Sequence, residues 1–364
     1  MNPALLKAGF FIFILHPHHT IFMKRIIGLL FLIFIIIGAY STWQVFGPTV
    51  SAPADKFFYI KTGFNYSDVK ASLKSQNIIS GNFFFDKIAG QLKYQQSIKP
   101  GKYEIKDNSS LLSLVRMLNR GSQSPVKLVI NKLRTKEDLA SKIGRNFECD
   151  SVEVIQFLTN NDSLQNYKLD TNTVMTAVIP NTYELKWNTT FKKLFSRLKS
   201  EQEKFWTQER LKKAAAKKLT TQQVYTMASI VEEETNKAED KLLIASVYRN
   251  RISQGQKLEA DPTVKYAMRN FGLKRILRGH LQYQSPYNTY RNTGLPPGPI
   301  CTPSTKTIDA VLDSPETDYI FFVAKPDFKG YSNFASTYAQ HLIFAKAYQK
   351  ALDSLILSKQ SGTQ

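Results

Sequence analysis

The chain has 364 residues, 43% of them hydrophobic, which suffices for two or three packed domains and excludes an intrinsically disordered polymer. Its 49 Lys and Arg against 29 Asp and Glu leave a formal charge of +20, which points to an anionic partner such as nucleic acid, phospholipid headgroups or an acidic polymer, with general solubility as the plainer account. Two cysteines, Cys149 and Cys301, lack metal-type spacing and exclude zinc sites built from CxxC pairs; they form one long-range disulfide or stand as isolated small apolar residues.

Residues 1–23 hold a short apolar run, Gly9 to Leu15, and then a His/Pro stretch, read as a cytoplasmic segment. Met23, directly before Lys24 and Arg25, is an alternative start. Residues 24–47 read as a transmembrane helix. No charge falls between Arg25 and Asp55, and Ile26 to Phe46 is long enough to cross a bilayer. Trp43 sits where an interfacial aromatic is expected, and Lys24 and Arg25 place the N-terminus in the cytoplasm. A signal peptide cleaved near Ser51-Ala52 competes, but the apolar run is longer than an h-region. The expected topology is one pass through the cytoplasmic (inner) membrane, with everything after residue 47 outside. An exported body meets no nucleic acid. Membrane lipid and the anionic wall then account for the charge.

Residues 48–56 read as a linker. Residues 57–125 form a small β-α-α-β-α block. Its strands lie at Phe57–Ile60 and Tyr103–Ile105, and one helix from Asn65 carries Val69 and Leu73. An apolar stretch begins at Phe83. A last helix, capped by Ser109 or Ser110, buries Leu111, Leu114, Val115 and Leu118 and stops at Gly121. A larger domain spans 126–355, followed by a tail, 356–364. It opens on a strand, Val126–Ile130. Mixed helix over Leu139–Leu158 and an extended segment at Val178–Tyr183 follow. Next comes one very basic helix, Phe191–Leu219, read as a solvated face or as a surface for lipid or wall polymer. A final helix, about 335–355, packs through Tyr338, Leu342, Ala345, Leu352 and Leu355. The architecture is α+β.

The stretch Thr221 to Thr235 carries the chemistry. Thr221 caps a helix whose buried face holds Val224, Met227, Ala228 and Val231. Asn236 with Glu239 resembles a new capping box, so the helix ends near Thr235 and the next begins at Lys237. Glu232, Glu233 and Glu234 then occupy the last turn, where the helix dipole and nearby apolar side chains both raise a carboxyl pKa. Glu232 lies nearest the buried face. Glu234 is about 200° further round, so the two cannot form a dyad on one face. A solvated acidic turn is the plainer account of three glutamates alone. Downstream, Asp261-Pro262-Thr263 reads as a tight turn. Tyr287-Asn288-Thr289-Tyr290 offers rings to stack on sugars and polar groups to bond hydroxyls. Gly294 to Ile300, with Pro296 inside it, is a rigid loop.

Together these residues resemble the YceG-like family of endolytic murein transglycosylases. The matching pieces are Ala228 to Thr235, Ser246 to Arg251, Asp261 to Tyr266, Tyr287 to Tyr290, Gly294 to Ile300, Phe321 to Ala324 and Phe334 to His341, in that order. The resemblance covers roughly residues 57–350. It implies a LysM-like subdomain, then a catalytic domain that cleaves the MurNAc-β-1,4-GlcNAc bond in glycan strands and leaves 1,6-anhydro-MurNAc ends. One glutamate serves as acid and then base. The resemblance places it at Glu232, with Glu234 supporting, and Ser229, Asp261, Thr263, Tyr287, Asn288, Thr289, Tyr290, Pro296 and His341 as supporting or substrate-binding residues. It implies neither metal nor organic cofactor, and offers peptidoglycan synthases as candidate partners. The chain departs from the family pattern at Asn131-Lys132-Leu133, Ser332 and Gln340. A catalytically silent wall-binding scaffold and a two-carboxylate hydrolase using Asp261 are the alternatives.

Overall fold

The computed structural model describes residues 17–361. Most of the segment 1–23 expected to be cytoplasmic therefore lies outside the described residues. The chain divides into two compact units, meeting in sequence at Ser124 and Pro125.

The first unit opens with α1, Pro17–Phe46, of which Phe22–Phe46 is apolar and long enough to cross a membrane. The β-α-α-β-α block follows as read: β1 (Phe57–Ile60), α2 (Tyr66–Ser75), α3 (Phe83–Gln91), β2 (Gly101–Glu104) and α4 (Leu111–Arg120). β1 and β2 form an antiparallel ribbon with Phe58 opposite Tyr103. The alternate residues Phe58 and Ile60 join Val69, Leu73, Phe85, Leu114 and Leu118 in one core. Asn65 caps α2 in a full capping box, and Ser110 caps α4.

Residues 48–56 do not behave as a free linker. Val50 is buried and pairs with Ser109 through backbone hydrogen bonds, and the Ser51 N–H donates to the Ile78 carbonyl. Val45, still inside α1, packs on the same core. α1 thus passes straight into the small unit.

The second unit is mostly helical, and among its described residues the strands pair as two-stranded ribbons. β3 (Val126–Ile130) pairs antiparallel with β4 (Asn181–Leu185). Between them lie α5 (Lys136–Asn146), α6 (Ser151–Leu158) and α7 (Asn161–Gln165). These close one core with α8 (Phe191–Phe205) through Leu128, Leu139, Val154, Phe191 and Phe195. The basic stretch expected as one helix is two. Thr207 caps a separate α9, Gln208–Ala216, by accepting from the Arg210 N–H.

A second core gathers α10 (Thr221–Glu234), α11 (Ala238–Ser253), α12 (Asp261–Ala267) and α13 (Thr305–Leu312). α10 is capped by Thr220, not Thr221, because Gln223 stands three residues after Thr220 and completes the capping box. The box expected from Asn236 and Glu239 does not form: Lys237 is the N-cap of α11 and makes no side-chain cap bond. The ribbon β5 (Phe321–Ala324) and β6 (Ser332–Ala335) follows, then α14, Tyr338–Ser361. α14 turns a face that matches the expected one in part, since Ala345 and Leu352 of that face are half-buried. Tyr338, Leu342 and Leu355 are exposed, while His341, Phe344, Tyr348 and Leu352 are half-buried. It also runs on through most of the expected tail. Cys149 and Cys301 are both free; Cys149 packs against an apolar core, and the buried Cys301 donates from its thiol to the Ser229 carbonyl.

Candidate active site

The last turn of α10 sends its three glutamates to three different sets of partners. Glu232 is tied down. Lys241 Nζ of α11 donates to its Oε2 at 2.9 Å, Ser304 Oγ donates at 3.1 Å, and Thr307 Oγ1 of α13 donates to the same atom. Lys241 also reaches Thr307 Oγ1 at 2.6 Å. Burial pushes the Glu232 carboxyl up, but the hydrogen bonds from Thr307 and Lys241 outweigh it and hold the group below its ordinary value. The expectation of a raised pKa at Glu232 is therefore corrected: a buried ammonium and two hydroxyls from other elements stabilise the anion. Glu233 is held by Arg134, whose Nε and Nη2 donate at 3.1 and 3.0 Å, and by Lys132 at 3.2 Å.

Glu234 has the raised carboxyl. It lines an open cleft of about 370 Å³, together with Arg251, Asp261, Tyr290, Phe321 and His341. Tyr248 of α11 donates from its hydroxyl to Glu234 Oε1 at 2.7 Å. Burial pushes the carboxyl up to about 7, Tyr248 opposes the shift, and the charge of Asp261 adds to it. The C-terminus of α10 points the same way, since its dipole disfavours an anion there. A protonated Glu234 accepts from Tyr248 on one oxygen and keeps the other for a ligand in the cleft.

This shift has a consequence for stability. The unfolded carboxyl titrates near 4.5 and the folded one near 7, so between these values the unfolded chain releases its proton first. The Glu234 contribution is complete below pH 4.5 and is lost as the pH rises through 7, about 3 kcal/mol in all. Urea unfolding across this window should show a steeper fall for the wild type than for Glu234→Gln. Equal slopes would contradict the assignment.

The supporting residues divide sharply. Asp261 accepts from the Tyr290 hydroxyl at 2.7 Å in the wall of the cleft. His341 stacks on Phe321 with ring centres 5.1 Å apart, and burial lowers its pKa, so its imidazole is neutral near pH 7. Its Nδ1 is buried without a partner. By contrast, Thr263, Asn288 and Thr289 hold the loop itself together. Thr263 and Thr289 share a hydrogen bond at 2.8 Å, and Asn288 Nδ2 donates to the carbonyls of Leu281 and Tyr283. All three are buried, which corrects the expectation that Asn288 and Thr289 bond sugar hydroxyls. Ser229 is also internal. Its Oγ donates to the Thr226 carbonyl and accepts from the Ile300 N–H at 3.0 Å, fastening the proline-rich loop to α10. Tyr287 packs against Tyr266 and reaches Asn172 Oδ1 at 3.4 Å.

Pro296 is buried in that loop, and Gly298 explains why the loop closes so tightly. A Cβ on Gly298 would lie 2.0 Å from the Asn172 carbonyl oxygen. Gly298→Ala should cost about 2 kcal/mol in urea unfolding, as overpacking does. An unchanged midpoint would show that the loop gives way.

Of the departures from the family pattern, Lys132 pairs with Glu233, while Leu133 and Ser332 make backbone contacts. The Leu133 N–H donates to Thr302 Oγ1, the Thr302 N–H returns to the Leu133 carbonyl, and the Ser332 N–H donates to Asp240 Oδ2. Gln340 is exposed and accepts from the Ser336 N–H at 3.4 Å. Sequence reasoning missed Lys241, Ser304 and Thr307 around Glu232, and Arg134 on Glu233. Tyr248 lay inside the matched segment Ser246 to Arg251, without any sign of its partner.

Glu234 thus shares one open cleft with the aromatic side chains of Tyr290 and Phe321. The chain belongs to the YceG-like family, whose model matches residues 58–347. A relative from Bacillus subtilis (strain 168), named endolytic murein transglycosylase, is 40% identical over 137 residues, 38% of this chain and 36% of the relative. One of the same name from Streptococcus pneumoniae (serotype 2, strain D39) is 26% identical over 336 residues, 81% of this chain and 60% of the relative. The chain thus spans between about a third and three fifths of the length of these relatives. A crystal structure of a YceG-like protein from Listeria monocytogenes shares the fold, with a TM-score of 0.53, 24% identity and coverage of 79% of this chain and 98% of that one.

Proposed function

We propose that this chain is a membrane-anchored lytic transglycosylase that cuts peptidoglycan glycan strands internally, with Glu234 as its acid/base. The observation that carries this reading is the Glu234 carboxyl, held by the Tyr248 hydroxyl in the wall of the open cleft, in a chain whose relatives are named endolytic murein transglycosylases. The protonated carboxyl gives its proton to the oxygen leaving the MurNAc anomeric carbon. The resulting carboxylate takes the proton from the MurNAc C6 hydroxyl as that oxygen closes on the same carbon. The bond to GlcNAc breaks, the 1,6-anhydro ring forms, and water is not consumed. One carboxyl suffices, in keeping with the separate partners of Glu232 and Glu234. Glu232, ionised between Lys241 and Thr307, braces the end of α10 and positions Glu234. The motif resemblance points instead to Glu232, and the Gln variants of the two glutamates decide between them.

The small unit, residues 57–125, is read as a LysM-like binder of the same strands. α1 is the anchor, with its N-terminal end in the cytoplasm and both units outside. Cleavage limits the length of nascent strands, and peptidoglycan synthases are the natural partners. A second reading has its own observation: Asp261 lines the same cleft as Glu234, as a two-carboxylate hydrolase requires. Purified peptidoglycan digested by the full chain, with products resolved by mass spectrometry, separates the readings. Anhydro ends are expected. Reducing ends would favour hydrolysis, and intact strands a binding scaffold.

A further inference from the structure

We infer that the small unit is seated on the bilayer, with the Phe83–Phe84 corner of α3 inserted into the interfacial layer beside the anchor. The partner surface is the lipid leaflet at the far end of α1 from Arg25. The inference rests on reading α1 as membrane-spanning, and not on the catalytic assignment.

Three observations support it. First, Phe83 is 66% exposed, and among the described residues 50–124 it is the one large hydrophobic side chain left exposed. A lone exposed phenylalanine is ordinary on a soluble surface, so its position decides the matter. Second, that position is fixed against the anchor. The Phe83 and Phe84 rings lie 5.1 Å apart edge to face, and Phe84 meets Tyr40 of α1 at 6.1 Å. About 20 helical residues cross the hydrocarbon, so with Arg25 at one border the other falls near Val45. Tyr40 then lies about 8 Å inside that border. A side chain packed at its level lies in the outer acyl region just beneath the headgroups, not in bulk water. Third, the connection is stiff. Val45 packs on the core of the small unit, and Val50 pairs with Ser109, so the unit has no slack with which to lift away.

Cations stand where headgroups would be. Arg116 and Arg120, one turn apart on α4, line a hollow together with Phe46 at the end of α1. The Lys87 amine is 5.8 Å from the Phe83 ring centre, a stem long enough to carry its charge out to the phosphates. Apolar rings deep and basic groups above them are the pattern of an interfacial contact with anionic lipid. Asp86, on the same helix, is neutralised by Lys70 at 3.1 Å and takes a hydrogen bond from the Tyr66 hydroxyl.

Tryptophan quenching tests this in the full chain, reconstituted in vesicles of phosphatidylethanolamine and phosphatidylglycerol. The chain has three tryptophans, Trp43, Trp187 and Trp206, so Trp43 is read as the emission lost on Trp43→Phe, and lipid brominated along the acyl chain should quench that share. Phe83→Trp is then read in a Trp43→Phe background, against that background alone. The added indole should lose most of its emission with bromine near the headgroup end of the chain, and less with bromine near the tail end. No quenching beyond the background, while Trp43 is quenched in the unaltered protein, would overturn the seating and leave the anchor intact. No quenching of Trp43 either would overturn the anchor reading, and the seating with it.

Discussion

Glu234→Gln should lower strand cleavage by about 10²–10⁴-fold, the usual contribution of a positioned acid–base group. The amide is nearly isosteric and still accepts from Tyr248, so folding and strand binding should survive. What is lost is the transferable proton. Glu232→Gln should act differently. It leaves Lys241 with a neutral acceptor and loosens the end of α10, so the loss should be smaller and accompanied by lower stability. Release of soluble fragments from labelled peptidoglycan measures both. The reverse order, with Glu232→Gln the dead variant, would return the role to the first glutamate.

Lys241→Met should destabilise the fold by about 3–5 kcal/mol, because it leaves a buried carboxylate without its cation. The side chains of Lys241 and Glu232 are only 11% and 13% exposed, so water cannot take over. The double variant Lys241→Met with Glu232→Gln removes both charges and should recover most of the loss. Urea midpoints of the single and double variants measure this. Equal losses in both would mean that the pair contributes packing alone.

These two predictions mark where the sequence stopped being readable. The end of α10 was legible: a buried stripe and three glutamates in the last turn are local facts. So was the absence of a same-face dyad, which follows from helix geometry. Which partners each glutamate meets was not legible. Periodicity ranks Glu232 nearest the buried face, but burial acts on a carboxyl only through its partners. Those partners sit at 241, 304 and 307 for one glutamate and at 248 and 261 for the other. Nothing in the spacing says that α11 and α13 bring a lysine and two hydroxyls to Glu232.

The same limit explains the smaller errors. Two adjacent threonines, 220 and 221, both fit a cap, and only the Gln223 contact chooses between them. The basic run 191–219 keeps helical character through Phe205-Trp206, so the cap at Thr207 is hidden. Asn288 and Thr289 look like sugar ligands because nothing local shows that Thr263 and two carbonyls already occupy them. Residues 48–56 look like a linker because they are small and polar, whereas Val50 is held by a bridge to a residue 59 positions on.

The most direct test of the central claim is to run the digestion in water enriched in ¹⁸O. If the MurNAc C6 hydroxyl closes the ring with Glu234 as the sole acid/base, the new ends are anhydro and carry no label. Label at the anomeric carbon of the new ends would mean that water attacked, and would contradict this account.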